Sequence, residues 1–433
     1  MLTDFSKTLN INLIQKILLY LFIAFPVFIL SGNLLINVFV YLISLLFIFL
    51  ILFKKVNFNY KNKIFYLQCF FFLSLVINLI FSDNIGLSTP RVFKSFFIIF
   101  FIFAFKYIFD QLPQEKFNLI YKSWSLIFLI MLLDLILEFF TQKNIFGFQS
   151  SMPGRLVSFA GSESNIGYFF SGFSLIFLTY IYKKYPDKFF LNFLFVILVV
   201  ILSFLIGERS NFFKTLFIVI LYYFIIYKKN FKIKILPVIL IISIFSISAN
   251  EIKENIVKWK VTEDNSQYYG YKSRYFNQLK EFFNKDGIKN YLENTQYGAH
   301  YEIAKQITKK NPFFGVGIKN FRVECFKSDY VLDGDHKLKS WGGNTHPHQI
   351  HYEFLSETGL FGYSSFIFFI LCSIYLSIKN YLKYKNPYQL CGILFVISTL
   401  IPLLPSGSFF STYSSSIFWI NYSIMVGYIK IKT

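Results

Sequence analysis

The chain has 433 residues, of which 55% are hydrophobic and only 15% charged; phenylalanine alone fills 60 positions. Soluble domains carry about 25% charged residues, so a water-soluble enzyme is excluded. The formal charge of +20 does not indicate nucleic acid, because the basic residues sit between apolar runs long enough to cross a bilayer, which takes about 20 residues of helix.

Twelve such runs are predicted in chain order: 11–31, 34–53, 64–82, 95–109, 120–140, 165–182, 189–207, 212–227, 233–249, 359–378, 388–406 and 412–429. Lysine clusters fall between them at Lys54, Lys55, Lys61 and Lys63, at Lys183, Lys184 and Lys188, at Lys228, Lys229, Lys232 and Lys234, and at Lys379, Lys383 and Lys385. All lie on one side of the twelve-span count, as do Lys430 and Lys432, and the positive-inside rule makes that side cytoplasmic. An even count puts both termini there. The first run lacks a small-residue cleavage site and reads as a retained anchor. The expected fold is an all-α integral membrane protein of about 12 transmembrane helices. Residues 1–249 carry nine of them, 250–358 form a large, mainly helical periplasmic loop, and 359–433 carry three.

The loop is nearly neutral, with 16 Lys and Arg against 14 Asp and Glu, so the surplus charge is an orientation signal. Helical patterns at 299–310 and 348–358 make it a small folded domain. It holds all five histidines, His300, His336, His346, His348 and His351. Histidine is the side chain best suited to proton transfer near neutral pH. Arginine is equally sparse, and Arg91, Arg155, Arg209, Arg274 and Arg322 all fall in segments placed outside. A planar guanidinium binds phosphate oxygens bidentately, which lysine does not. The bland alternative is five unrelated surface or salt-bridge arginines. Arg209 resists it best, since Gly207-Glu208-Arg209-Ser210 lies at the mouth between two apolar runs, where unpaired charge is costly.

Cys69, Cys372 and Cys391 lie in spans and Cys325 is alone in the loop, so the loop has no internal disulfide. His346-Pro-His348 and His348-x-x-His351 lack a carboxylate or cysteine partner at metal-site spacing, and no metal is expected. Asp134 and Glu138 share a face near the outer end of the fifth span. They read either as a proton relay or, more simply, as a hydrated helix end or arginine partner.

The stretches richest in chemistry are Asn311-Pro-Phe-Phe-Gly-Val-Gly-Ile-Lys-Asn-Phe-Arg322 and Thr345-His-Pro-His-Gln-Ile-His-Tyr-Glu-Phe-Leu-Ser-Glu-Thr-Gly-Leu-Phe-Gly362. The Gly315-x-Gly317 pair alone is no more than a turn after a helix. The second stretch has a histidine near a helix start, then an acidic and apolar helix, then Gly359 and Gly362 entering the tenth span. Together they resemble the O-antigen ligase and O-antigen polymerase family of bacterial envelope glycan enzymes. The resemblance extends over most of the chain: some twelve spans, a large loop before the last three, a Pro-x-x-Gly-x-Gly-x-x-x-Phe element, and a histidine, glutamate and two glycines spaced as His348, Glu357, Gly359 and Gly362. Arg155-Leu-Val-Ser-Phe-Ala-Gly-Ser-Glu163 and Gly207-Glu208-Arg209 look like two further family elements. There are departures. Gln349 stands where the family commonly has Asn. Relatives often have a cysteine able to pair with the one at Cys325, where this chain reads Ser340-Trp-Gly-Gly-Asn344. His300 stands where members of the family have an arginine, which leaves Arg274 as the candidate for the loop's second phosphate ligand that the resemblance implies.

The resemblance implies glycan transfer from an undecaprenyl diphosphate carrier to a sugar hydroxyl on a lipid A core or another glycan. It implies a periplasmic active face in the bacterial inner membrane, no cofactor, and no nucleotide sugar or required metal. His348 would be the general base and Arg209, with Arg274 or Arg322, would bind the diphosphate. Glu208 would orient Arg209, with Arg155, Glu163, His300, His346 and Glu357 in support. The implied fold is that of the lipid-dependent membrane glycosyltransferases, and the partners are the bilayer and the two substrates, with no nucleic acid. Ligase and polymerase stay undivided. A twelve-span secondary transporter is the alternative from another class, resting on Pro402 and Pro405 as kinks in the eleventh span. A structural scaffold would account for the spans but not for the sorted arginines.

Overall fold

Long apolar helices account for most of the chain. A computed structural model describes residues 11–430 apart from 57, 153–154, 162–164, 228–286, 288, 290–291, 293–294 and 331–342. Its α-helices are α1 (Ile11–Leu30), α2 (Asn33–Leu52), α3 (Lys63–Ile80), α4 (Ile85–Gln111), α5 (Gln114–Thr141), α6 (Ile166–Lys184), α7 (Phe189–Leu205) and α8 (Arg209–Ile226). These are followed by α9 (Gln296–Lys310), α10 (Phe321–Glu324), α11 (Ile350–Tyr384), α12 (Pro387–Thr399) and α13 (Thr412–Gly427). No strand occurs among the described residues. Seven helices, α1 to α5, α8 and α11, are long and apolar enough to cross a membrane, and α7 and α12 are shorter apolar helices. Large apolar side chains on them stay uncovered, among them Leu34 and Phe140 at 77% and Phe190 at 72% exposure, as lipid-facing positions would be. The chain is thus an all-α membrane protein.

Eleven of the twelve expected spans coincide with described helices; the ninth, 233–249, lies outside the described residues. Two boundaries are corrected. The fourth span, expected to be short at 95–109, is the 27-residue α4, which begins at Ile85 under an Asn84 cap and runs through Pro90. The eleventh ends early, at Thr399. Pro402 and Pro405 therefore lie in the connection 400–411 and kink no helix, which removes the main support for a transporter.

The described residues fall into two compact units. In the first, residues 1–123 and 296–433, α2 packs on α4, α3 on α4 and α11, α13 on α4 and α12, and α9 on α11. Phenylalanines fill the seams: Phe71 of α3 stacks on Phe369 of α11 with centroids 5.2 Å apart, and Phe354 stacks on Phe366 at 4.1 Å. The described part of the expected loop domain has its own small core of Ala299, Ile303, Ala304, Ile307, Val316, Phe321 and Cys325, flanked by Tyr330 and Tyr352. In the second unit, 124–295, α6, α7 and α8 pack on one another.

One contact orders the first unit around the motif stretches. Helix α11 breaks at Gly359, whose φ of 63° and ψ of −171° suit only glycine. The 312–317 turn docks against that break. Leu360 and Phe361 N–H groups donate to the Pro312 and Phe313 carbonyls at 2.8 and 3.0 Å, while Val316 and Gly317 N–H groups donate to Ser356 and Glu357 at 3.1 and 2.8 Å. The backbones are so close that a Cβ on Gly315 would sit 2.6 Å from the Glu357 carbonyl carbon, and one on Gly359 2.4 Å from that of Phe313. The motif glycines are thus the two faces of one backbone-to-backbone joint. Asn78 of α3 locks it by donating to the Phe314 carbonyl at 2.6 Å and the Glu357 carbonyl at 3.2 Å.

Candidate functional site

Three histidines meet in the first unit. The His348 ring lies 4.0 Å from His346, 5.4 Å from His300 and 5.7 Å from Tyr297, centroid to centroid. His300, fully buried on α9, faces the Asn344 amide at 3.2 Å. His346 Nδ1 faces the Thr345 hydroxyl at 3.0 Å. His348 has a left-handed backbone, φ 57°, directly before the α11 cap. That cap is Gln349, whose side-chain oxygen accepts from His351 and Tyr352 N–H at 2.7 and 3.1 Å, so the amide that replaces the family's Asn starts the helix. Burial, reinforced by His300, pulls the His348 imidazole down from 6.5 to about 4. His346 is driven well below its ordinary value by burial and by the charges of His348 and Lys319. At neutral pH both rings are therefore uncharged and able to accept a proton. His351 is separate and fully engaged, with Nε2 on the Leu400 carbonyl at 2.9 Å and Nδ1 on the Tyr363 hydroxyl at 3.1 Å.

Beside the histidines lies a cluster of cations and acids. Lys319, buried and at φ 65°, donates its ammonium to Ser408 Oγ, which in turn donates to Glu353. The other Glu353 oxygen accepts from Phe409 N–H at 2.7 Å. Glu357 accepts the Lys319 backbone N–H at 2.8 Å. Burial lowers the Lys319 ammonium, Glu353 and Glu357 oppose that, and Arg322 and Arg91 reinforce it. Arg322 is exposed on α10. Arg91, half-buried on α4, feels both Arg322 and Glu357 and reaches Thr412 Oγ1 at 3.4 Å. Next to it the buried Lys94 donates to Asn37 at 2.8 Å. Of the residues expected from sequence, His300, His346, His348, Arg322 and Glu357 thus share one unit. Lys319, Glu353 and Ser408 were missed, although Lys319 stands inside the Gly315-Val-Gly-Ile-Lys element. Arg91 had been counted among the sorted arginines without a role. Among the described residues no three His, Cys, Asp or Glu side chains are arranged to hold a metal ion.

The second unit holds Arg155, Glu208 and Arg209. Gly207, at φ 80°, turns the chain into α8, which begins at Arg209. The Glu208 carboxylate accepts from Gly167 N–H at 2.7 Å and from the Asn211 amide at 2.6 Å, with Arg155 as a favourable charge. A Cβ on Gly167 would lie 2.8 Å from that carboxylate, so a larger residue there would have to displace the Glu208 side chain. Burial raises Glu208 above the ordinary carboxylate range. Arg274 and Glu163 lie outside the described residues, as does His336. Asp134 and Glu138 are buried, not a hydrated helix end. Glu138 accepts from Val157 N–H at 2.9 Å and Ser158 N–H at 2.7 Å, and Asp134 from Ile145 N–H at 2.7 Å and the Ser158 hydroxyl at 2.6 Å. The two acids fasten the connection that carries Arg155. No sequence pattern signals this, because three of the four donors are backbone groups 11 to 20 residues downstream, the fourth being the Ser158 hydroxyl.

Cys325 is a free, buried cysteine held by weak bonds. Asn344 N–H donates to its sulfur and its thiol donates to the Asn344 carbonyl, both at 3.4 Å. Asn344 is thereby tied to Cys325 without a covalent link.

Residues 194–367 match the O-antigen ligase family, which confirms the resemblance carried by the motifs. The matched interval includes Glu208, Arg209, Lys319, Arg322, the three clustered histidines and the Gly315–Gly359 joint. No curated protein matches the chain. With the apolar helices, the match, which spans less than half of the chain, supports a multi-pass bacterial inner-membrane protein that processes glycans.

Proposed function

We propose that this chain, with its O-antigen ligase family domain, moves a glycan from an undecaprenyl diphosphate carrier to a sugar hydroxyl at the periplasmic face, both termini being cytoplasmic. The observation that carries the reading is His348: a neutral imidazole held among His300, His346 and Tyr297, in one unit with Arg91, Lys319 and Arg322. A neutral imidazole accepts the proton of the attacking hydroxyl as its oxygen bonds to the anomeric carbon. The bond from that carbon to the diphosphate oxygen breaks, and the departing diphosphate needs fixed positive charge. Arg322 and Arg91 would supply it in this unit, and their charges also act on Lys319, which Ser408 links to Glu353. Arg209 has the chemistry for the same task, and Arg274 remains its expected companion from the loop. No side chain need form a glycosyl intermediate, so the displacement is single and inverts the anomeric centre. Neither nucleotide sugar nor metal is required by this scheme.

The test uses purified protein, a radiolabelled undecaprenyl diphosphate oligosaccharide and two acceptors, a lipid A core and the unlabelled donor. Wild type should transfer label, and His348→Ala, Arg209→Ala and Arg322→Ala should each lose at least about 100-fold in kcat/KM. Label on the lipid A core identifies a ligase, the reading favoured here; extension of the donor identifies a polymerase. Undiminished transfer by His348→Ala would overturn the mechanism.

A further inference from the structure

The connection 400–411 follows α12 and is pinned at every few residues. Its first carbonyl, Leu400, meets His351 Nε2 at 2.9 Å. Leu403 is left-handed, φ 65°, between Pro402 and the next proline, Pro405, so the path is stiff. Ser406 N–H donates to the His348 carbonyl at 2.7 Å. Two residues on, Ser408 bridges Lys319 and Glu353, and Phe409 N–H completes the Glu353 carboxylate. The rings of Phe409 and Phe410 then close on Phe354 at 5.2 and 5.1 Å. His348 is thus held on its carbonyl by this connection and followed at once by the Gln349 cap. A left-handed backbone at a non-glycine residue persists only where its surroundings over-determine it.

The Ser408 hydroxyl is the centre of that arrangement. It accepts from an ammonium and donates to a carboxylate, so its proton has one orientation. Removing it would leave two buried polar groups each short of a partner, and the bond from Ser406 to His348 would lose its nearest anchor.

We infer that the Lys319–Ser408–Glu353 bridge clamps the connection 400–411 against α11 and so sets the orientation of His348, with Ser408 as a positioning residue. The inference rests on the proposed reading of His348 as the base. The groups facing His348 are His300 and Tyr297 from α9 and His346 from the preceding chain, and the Lys319 charge acts on His346.

The experiment compares wild type, Ser408→Ala, Ser408→Thr and Glu353→Gln, full length in nanodiscs, by steady-state kinetics and by NMR of ring-labelled histidine, with His348→Gln assigning the resonance. Misplacing a reacting group by about 1 Å costs about 100-fold. Ser408→Ala should therefore lose about that factor in kcat, change the donor KM by less than about threefold, and shift the His348 ring resonances. Threonine keeps the hydroxyl and should restore kcat to within about tenfold of wild type. Unchanged ring resonances and kcat in Ser408→Ala would overturn the clamp, even if His348→Ala abolishes transfer. Shifted resonances, with transfer intact in His348→Ala, would leave the clamp standing and sink the base. Should Ser408→Ala fail to fold, Glu353→Gln, which keeps the acceptor for Phe409 N–H but not the charge, must show the same shift and the same loss in kcat; wild-type behaviour there overturns the clamp.

Discussion

Substituting Gly359 by alanine attacks the joint between the two motif stretches at its narrowest point. The added Cβ would lie 2.4 Å from both the carbonyl carbon and the oxygen of Phe313 and 2.5 Å from the Phe314 nitrogen, all backbone atoms that cannot rotate away. The residue would also have to hold φ 63° with ψ −171°, a conformation that costs a side-chain-bearing residue about 1 to 3 kcal/mol. Relief requires the 312–317 turn to withdraw, breaking the bonds from Leu360 to Pro312 and from Phe361 to Phe313. At about 0.5 to 1.5 kcal/mol each, these bring the total to about 2 to 6 kcal/mol. Gly147→Ala separates strain from space, because Gly147 is also left-handed, φ 81°, but has nothing within 4 Å of its would-be Cβ. Thermal unfolding in one detergent, read by light scattering and tryptophan fluorescence, should show a depression of the midpoint at least about twice as large for Gly359→Ala as for Gly147→Ala. Equal depressions would refute the steric account and reduce the joint to a conformational preference.

The depressed His348 sets two pH responses. Activity as kcat/KM should hold down to an acid limb near pH 4, and a limb near 6.5 would contradict the buried, uncharged ring. In stability, a lowered folded value means the unfolded chain takes the proton first. The contribution of His348 is therefore complete above 6.5 and lost as pH falls from 6.5 towards 4, by up to about 3 kcal/mol, which urea unfolding at pH 7 and 4.5 in wild type and His348→Gln would measure. Glu138→Ala leaves the Val157 and Ser158 N–H groups without their acceptor; at about 1 to 3 kcal/mol per orphaned donor the connection 142–161 should open to limited proteolysis, and unchanged cleavage would refute its fastening role. Cys325, buried and bonded to Asn344, with its thiol raised by burial, should resist maleimide in folded protein that has the other three cysteines replaced, and should react once it is denatured; rapid native labelling would contradict the site.

The helices were legible in the sequence because membrane helices announce themselves by a hydropathy signal over about 20 residues: eleven expected spans meet described helices, seven of which are long and apolar enough to cross a membrane. It failed where polar residues belong to a helix: Gly86, Ser88, Thr89 and Arg91 dilute the start of α4, so hydropathy began the span only at 95. It failed in the other direction at 400–406, where leucine, isoleucine and proline are apolar enough to pass for membrane and instead form the connection that meets His348. The histidine grouping was legible as scarcity confined to one segment. The fastening roles of Glu138 and Glu353 were not, because backbone N–H groups are among the donors to each, and these carry no mark in the amino-acid code.

The motif glycines connect these two kinds of outcome. From sequence they were a turn and a span entrance, two local features of ordinary meaning. The geometry makes them one feature, since Gly315 and Gly359 each occupy space that the other strand's backbone requires. The same joint fixes Glu357, because Gly317 N–H holds its carbonyl while Lys319 N–H holds its carboxylate. Lys319 is thereby placed to reach Ser408, and through Ser408 the connection that bonds to His348. The spacing from Gly315 to Lys319 and from His348 to Gly359 is then a single requirement. It brings one cation and one imidazole to the same end of the helix bundle, where chemistry on an anionic lipid-linked substrate would need them.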